Sequence, residues 1–143
     1  MALKSHDEFI DEITGFDTFG KHTIMTPFEW EVDGRKGRTM KAVNEYWTSG
    51  QRQANSLHEI SYRACFKPQL PEFFIARLTE PGDGVYDPFM GRGTTPLQAR
   101  LMGRIPLGND INPLSQVLLA PRLNPPTIEK ITERLESVDL SSA

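Results

Sequence analysis

The fold of this chain is decided by one stretch, Asp87-Pro88-Phe89-Met90-Gly91-Arg92-Gly93-Thr94-Thr95. The stretch follows a short apolar strand at 84–86 and precedes a segment with helical character at 96–102. A strand, a tight glycine turn and a helix start together form the ligand-binding corner of a doubly wound α/β sheet. Gly91 and Gly93 let the backbone approach a ligand closely because neither has a Cβ atom. Asp87, at the end of the strand, can accept hydrogen bonds from a ligand ammonium or hydroxyl group.

A second strand is predicted at 105–109, and it ends beside Asp110. Nucleotide-binding folds place the carboxylate that binds ribose hydroxyls about 20 residues beyond the glycine loop, and Asp110 lies at that distance. The alternative is a charge that favours the N-terminus of the helix starting at Asn112-Pro113, through the helix dipole. Because the glycine loop is present, the ribose interpretation is preferred.

The nine residues match every position of the pattern Asp-Pro-Phe-x-Gly-x-Gly-Thr-Thr. They resemble the S-adenosylmethionine-binding motif of the DNA amino-methyltransferases, which methylate cytosine N4 or adenine N6. A dinucleotide-binding fingerprint would carry a third glycine where this chain has Pro96. The resemblance implies an α/β fold, a partial Rossmann-like doubly wound sheet that is incomplete in this chain and preceded by an irregular N-terminal arm.

The resemblance also implies S-adenosylmethionine as the cofactor. The residues that it assigns to the cofactor in and after the loop are Asp87, Pro88, Phe89, Gly91, Gly93, Thr94, Thr95, Asp110 and Ile111, with Ile111 against the adenine. The segment from Tyr62 to Pro71 resembles the family segment that packs across the methionine end of the cofactor. There Phe66 lines the pocket and Lys67 pairs with the cofactor carboxylate, although a solvated surface lysine explains Lys67 equally well.

The motif by which this family holds its target base, Asp/Asn/Ser-Pro-Pro followed by an aromatic residue, is absent from the sequence. The run Asn124-Pro125-Pro126 continues with Thr127, which cannot stack on a flipped base and is suited to cap a helix. No catalytic residue is therefore assigned. Only two parallel strands are predicted, so this chain is expected to be the cofactor-binding portion of an enzyme and not competent alone. Three explanations of the missing motif stay open: a second polypeptide supplies it, the chain is a truncation or fragment, or the chain is a non-catalytic module with the same fold.

The expected partners are DNA and either a second polypeptide carrying the catalytic motif or another copy of the chain, in a restriction–modification setting. Between Gly34 and Lys67 there are seven basic residues and two acidic ones, namely Arg35, Lys36, Arg38, Lys41, Arg52, Arg63 and Lys67 against Glu45 and Glu59. Such a segment can contact phosphates, or it is only a solvated face. The rival hypothesis is a non-catalytic module that binds nucleic acid or protein through this segment.

The bulk composition is that of a globular protein of 143 residues with a net charge of −3. No apolar run approaches the roughly 20 residues of a membrane span, so no membrane association is expected. The single cysteine, Cys65, is consistent with a cytoplasmic location, and no metal site is predicted. We divide the chain into an arm at 1–54, with a helix and a possible hairpin, and an S-adenosylmethionine-binding subdomain at 55–143.

Local signals predict several element boundaries. Ser5 and Glu8 form a capping box before a short helix, and a hairpin is predicted around 33–37. A helix over 71–78 is expected to bury Phe73, Phe74 and Leu78. Thr94 or Thr95 is expected to cap the next helix, which Gly103 ends. A helix from Asn112 is expected to stop at Pro121, and one capped by Thr127 carries Ile128, Ile131 and Leu135 on one face.

Overall fold

The computed structural model describes residues 4–48, 54–60, 62 and 65–138. Its elements, in chain order, are α1 (His6–Thr14), β1 (Ile24–Val32), β2 (Arg35–Val43), a 3-10 helix (Ser56–His58), α2 (Gln69–Leu78), β3 (Gly84–Asp87), α3 (Thr94–Leu101), β4 (Ile105–Gly108), α4 (Pro113–Leu123) and α5 (Ile128–Glu136). Arg52 and Arg63 of the predicted basic segment lie outside the described residues.

The centre of the fold is a β–α–β unit. Strands β3 and β4 pair in parallel, with Val85 opposite Pro106, and α3 connects them. Helix α3 packs on both strands, and α2 and α4 pack beside it. The buried apolar residues come mainly from these helices, namely Phe73, Ile75, Leu97, Ala99 and Leu119. The prediction of an α/β, partial Rossmann-like sheet is confirmed.

Only one face of this small sheet is covered by the described residues. Val85 and Pro106 are partly buried, whereas Tyr86, Ile105 and Leu107 on the other face are exposed. A parallel sheet is normally covered on both faces, because its strands are apolar on both sides. In the described part of the chain the sheet is therefore incomplete, as predicted.

The N-terminal part of the chain packs on α2 through aromatic rings. Phe16 lies with its ring centroid 5.2 Å from Tyr46 and 5.8 Å from Phe73, and Trp47 lies 6.2 Å from Phe73. The capping box of α1 is confirmed, since the Ser5 hydroxyl accepts from the Glu8 N–H while the Glu8 carboxylate accepts from the Ser5 N–H.

The predicted hairpin is confirmed and extends much further than 33–37. Strands β1 and β2 are antiparallel over nine residues each. Asp33 and Gly34 both have positive φ, at 49° and 74°. This is the requirement of the two-residue type I′ turn, whose twist matches that of the strands.

The predicted cap of α3 is wrong, whereas the predicted α2 is confirmed with a start two residues earlier. Helix α3 begins at Thr94 with Gly93 as its N-cap, so neither Thr94 nor Thr95 caps it. Glycine occupies the N-cap position because the loop needs a left-handed backbone at position 93, where φ is +85°. Helix α2 begins at Gln69, two residues before Pro71, which is tolerated in the first turn.

Two further expectations about helices are wrong. Helix α4 continues past Pro121 to Leu123, since the proline removes only its own backbone donor and the Asn124 N–H still donates to the Ala120 carbonyl. In α2, Ile75 is buried with Phe73, while Phe74 and Leu78 remain exposed. The cap at Thr127 and the left-handed Gly103 after α3 are confirmed.

Among the residues that the structure describes, no helix is long and apolar enough to cross a lipid bilayer.

Candidate functional site

The glycine loop lies at the carboxyl ends of β3 and β4 and leads into α3. The Phe89 N–H donates to Asp87 Oδ1 at 3.0 Å, and the Met90 N–H donates to the Asn109 carbonyl at 3.0 Å. The loop is thus tied to the ends of both strands. In open α/β sheets this edge is where ligands bind.

The two loop glycines occupy backbone conformations that side chains disfavour. Gly91 and Gly93 have φ values of +51° and +85°. A Cβ atom on Gly93 would lie 2.5 Å from Leu119 Cδ1, so α4 packs directly against the loop. On Gly91 a Cβ atom would meet the Tyr62 ring at 3.5 Å. The loop is therefore close-packed on its inner side.

The carboxylate of Asp110 is directed to the loop. Its Oδ2 accepts from the Gly91 N–H at 2.7 Å and its Oδ1 accepts from the Asn112 N–H at 2.8 Å. These hydrogen bonds, with that from Asn112 the larger influence, lower the pKa of Asp110 below its usual value. Each carboxylate oxygen can accept a further hydrogen bond, so a ligand hydroxyl can still be received.

Two large apolar side chains project from the same edge of the sheet into solvent. Phe89 is 86% exposed and Ile111 is 100% exposed. Phe89 is two residues after Asp87 in sequence, and Ile111 directly follows Asp110. The edge thus combines hydrogen-bond acceptors with uncovered apolar groups.

The remaining loop residues that the sequence predicted have different surroundings. Thr94 is buried, and its Oγ1 accepts from Arg92 Nε at 3.1 Å. Thr95 is half-buried and Pro88 is exposed. Thr94 therefore supports the loop from inside.

The upstream segment reaches the loop through residues that the sequence did not single out as ligands. Arg92 Nη1 donates to the Ile60 carbonyl at 2.5 Å, and Asn112 Nδ2 donates to the Tyr62 hydroxyl at 3.4 Å. Phe66 and Lys67, which the sequence predicts to hold the cofactor, are both exposed. Tyr62 is instead the residue of this segment that the structure brings against Gly91.

Arg122, a buried arginine that the sequence analysis did not identify, holds the loop through a hydrogen bond to its backbone. Arg122 donates to the carbonyls of Leu118 at 2.7 Å, of Leu57 at 3.2 Å and of Arg92. Burial, and secondarily the nearby charge of Arg92, lowers the pKa of Arg122. Its guanidinium thus joins α4, the segment before Tyr62 and the glycine loop. The only local signal for it is a lone cation in the apolar run from Val117 to Leu123.

His58 makes a second such connection. Its imidazole is buried, and Nε2 lies 3.0 Å from Gln98 Oε1 of α3. Burial, as the largest influence, lowers the pKa of His58. The neutral ring is therefore the form that the fold prefers.

A cavity of about 420 Å³ adjoins this edge between the loop, β4 and α4. Met90, Asp110, Asn112, Gln116 and Leu119 contribute to its lining. Small-molecule sites have volumes of roughly 300 to 1,000 Å³, so the cavity is large enough for part of a nucleoside-sized ligand.

Comparison with known proteins supports the family suggested by the loop. A family model described as DNA methylase matches residues 8–116. The chain belongs to this DNA methylase family. The match extends over most of α1, the hairpin, the β–α–β unit and the start of α4. The prediction of a cytosine-N4 or adenine-N6 type DNA methyltransferase family is confirmed.

Individual methyltransferases share part of their length with this chain. The type II methyltransferase M.MjaII of Methanocaldococcus jannaschii is 36% identical over 88 residues, which are 61% of this chain and 17% of that protein. The type II methyltransferase M.PvuII of Proteus hauseri is 35% identical over 131 residues, 85% of this chain and 39% of that protein. The chain therefore spans well under half the length of these relatives.

A solved structure of M1.HpyAVI in complex with SAM covers 85% of this chain at 19% identity with a TM-score of 0.44. The match extends over 72% of that chain.

Proposed function

We propose that this methylase chain is the cofactor-binding portion of a site-specific DNA methyltransferase that uses S-adenosylmethionine. The observation that carries the proposal is the complete Asp-Pro-Phe-x-Gly-x-Gly-Thr-Thr motif at the carboxyl end of β3, in a chain of the DNA methylase family. The acceptor is an exocyclic amino group of a DNA base.

The residues at this edge fit the chemistry of such a cofactor. Asp110 offers acceptors for ribose hydroxyls, and Asp87 offers an acceptor for an ammonium group. Exposed Ile111 and Phe89 offer apolar contact for an adenine ring. Gly91 and Gly93 give the loop the positive φ values that its turn needs and let it pack against Tyr62 and Leu119.

When bound, S-adenosylmethionine supplies an electrophilic methyl group. The contribution of this chain is to bind and orient, since correct placement of reacting groups can remove a large part of a barrier. Arg122 and Asp110 hold the loop in place for that purpose. Thr127 caps α5 by accepting a hydrogen bond from the Lys130 N–H at 3.4 Å. We therefore assign Asn124–Thr127 a structural role and not the binding of a target base.

Methyl transfer then requires a base-binding motif from outside these 143 residues. We propose that a second polypeptide, or another copy of the chain, covers the open sheet face of Tyr86, Ile105 and Leu107. An exposed apolar sheet face of this kind is typical of an interaction site. The names of the relatives support a restriction–modification setting.

The test is calorimetric titration of the chain with S-adenosylmethionine and S-adenosylhomocysteine. We expect saturable binding of both, weakened about tenfold or more by Ile111→Ser, because covering an isoleucine side chain contributes roughly 1.5 to 3 kcal/mol. Ile111 is fully exposed, so this substitution removes no packing within the fold. Ile128→Ser, at an exposed isoleucine of α5, is the matched control and should leave binding unchanged.

The alternative is a non-catalytic module that keeps the methylase fold to bind nucleic acid or protein. The basic and aromatic residues between Arg35 and Lys67 support it. A folded chain that binds neither compound at millimolar concentration would make this alternative the better explanation.

A further inference from the structure

The β1–β2 hairpin has two chemically different faces. Its register places alternate cross-strand pairs on opposite sides. The side that we call the aromatic face carries Ile24, Thr26, Phe28, Trp30, Val32, Arg35, Gly37, Thr39, Lys41 and Val43. The side that we call the ion-pair face carries Met25, Pro27, Glu29, Glu31, Lys36, Arg38, Met40 and Ala42.

Charge is segregated between these faces. Both glutamates of the strands are on the ion-pair face, where Glu31 pairs with Lys36 at 3.2 Å and Glu29 lies opposite Arg38. Arg35 and Lys41 are on the aromatic face, which carries no carboxylate in either strand. The ion-pair face is thus formally neutral, while the aromatic face has a formal charge of +2.

The aromatic face is also uncovered, and its indole ring packs against the neighbouring strand. Ile24, Phe28, Trp30, Val32 and Val43 are each at least 40% exposed. The Trp30 ring lies over Gly37, where a Cβ atom would be 2.3 Å from Trp30 Cζ2. The missing side chain at position 37 lets the indole lie close against the neighbouring strand. Positive charge beside exposed rings is suited to an anionic partner that carries flat apolar groups.

We propose that the aromatic face of the hairpin binds duplex DNA in the major groove. A two-stranded β-ribbon fits this groove, which is roughly 12 Å wide. Arg35 and Lys41 are six residues apart on β2, roughly 20 Å in an extended strand, so the two cations reach the phosphates on both sides of the groove. Trp30 and Phe28, between them, face the base edges and thymine methyl groups.

This inference takes DNA as the partner from the proposed function. It requires no cofactor, however, and its test is independent of the S-adenosylmethionine titration. A chain that binds duplex DNA through the hairpin but not S-adenosylmethionine would contradict only the proposed function, and the converse result would contradict only the present inference.

The experiment measures binding of a fluorescent duplex of about two helical turns by anisotropy over a range of salt concentrations. The double variant Arg35→Gln/Lys41→Gln is compared with Lys36→Gln/Arg38→Gln, which removes the same charge from the ion-pair face. The control also removes the cross-strand ion pair between Glu31 and Lys36, so any unfolding of the hairpin affects the control more. Each phosphate contact contributes a slope of about −0.9 to the dependence of log K on log salt.

We expect the aromatic-face variant to bind at least tenfold more weakly at low salt, with a slope smaller in magnitude by about 2. The control should stay within about twofold of the unmodified chain. Trp30→Ala should weaken binding without changing the slope, because the indole carries no charge.

Equal losses in the two double variants would overturn the proposal, as would a folded chain that does not bind the duplex. Self-association in sedimentation velocity that Trp30→Ala abolishes, with DNA binding unchanged, would assign this face to a protein partner instead.

Discussion

At the scale of single residues, Gly93 combines a left-handed backbone with a filled space beside its Cα atom. With φ at +85°, an alanine is strained there, and its methyl group would lie within 3.1 Å of three carbon atoms of Leu119. We expect Gly93→Ala to lower the free energy of unfolding by about 2 to 4 kcal/mol, from backbone strain and overpacking together. Urea unfolding followed by circular dichroism measures this loss.

Gly82→Ala separates the two contributions. Gly82 has a similar φ of +95°, but nothing lies within 4 Å of the position that an alanine methyl group would take there. Gly82→Ala should lower the free energy of unfolding only by the backbone strain, about 1 kcal/mol or slightly more. If the two substitutions lower the free energy of unfolding equally, Leu119 moves aside without an energetic penalty, contrary to the packing described above.

The sequence predicts the residues of the loop well and its internal supports poorly. Gly91, Gly93 and Asp110 follow from the motif and from its spacing. The prediction of a threonine cap is wrong because side-chain preference alone ignores the left-handed backbone that the loop imposes at position 93. Arg122 is not predictable because a buried arginine bonded to three carbonyls depends on tertiary packing, which no local pattern encodes.

At the scale of elements, His58 connects the 3-10 helix at Ser56–His58 to α3. Its pKa is lowered in the fold, so the unfolded chain binds a proton more readily. The stability gained from the neutral ring is present above the ordinary pKa of 6.5 and is lost as the pH falls from there towards the lowered folded value. We expect the free energy of unfolding of the unmodified chain to decrease as the pH is lowered from about one unit above that ordinary value to about one unit below it.

His58→Gln removes this titration while it keeps a polar side chain beside Gln98. Its stability should therefore change less over the same pH range. His6 and His22 are present in both proteins, so their contribution cancels in the comparison. Parallel pH profiles for the two proteins would contradict the assignment of the pH dependence to His58.

The elements themselves were largely predictable, and their lengths and buried faces were not. Asp33-Gly34 predicts a type I′ turn, since both positions need positive φ. The length of the strands depends on cross-strand pairing, which the turn alone does not fix. Similarly, α2 buries Ile75 and leaves Phe74 exposed because the positions of α3 and the N-terminal aromatic rings decide which side of α2 is covered.

At the scale of the whole molecule, the open sheet face predicts association. Tyr86, Ile105 and Leu107 form an exposed apolar surface on the side of the sheet away from Val85 and Pro106. We expect the isolated chain to self-associate as its concentration rises, and Leu107→Glu to reduce this in sedimentation velocity. Leu107 is 49% exposed, so the charge can be hydrated in the monomer.

Ile10→Glu on α1 is the control, because it adds the same charge at another exposed apolar residue. It should leave the association unchanged. If it reduces the association as much as Leu107→Glu does, net charge and not the sheet face is responsible.

The overall architecture was predictable because one specific loop motif fixes the order strand, loop and helix around it. The packing of the N-terminal part on α2 was not, because it depends on aromatic contacts between distant positions such as Phe16 and Phe73. The division at 54 and 55 stays a prediction, although Arg77 and Glu12 form an ion pair across it at 3.0 Å.

The two hydrogen bonds received by the Asp110 carboxylate have a thermodynamic consequence for any ligand at this edge. Because the Gly91 and Asn112 amides already restrict its rotamers, the side chain is preorganised. Ordering a free side chain on binding costs roughly 0.5 to 1.5 kcal/mol of conformational entropy. The acceptors of Asp110 are already in position when a ligand hydroxyl binds. The entropic cost of ordering this side chain therefore falls on folding and does not weaken ligand binding.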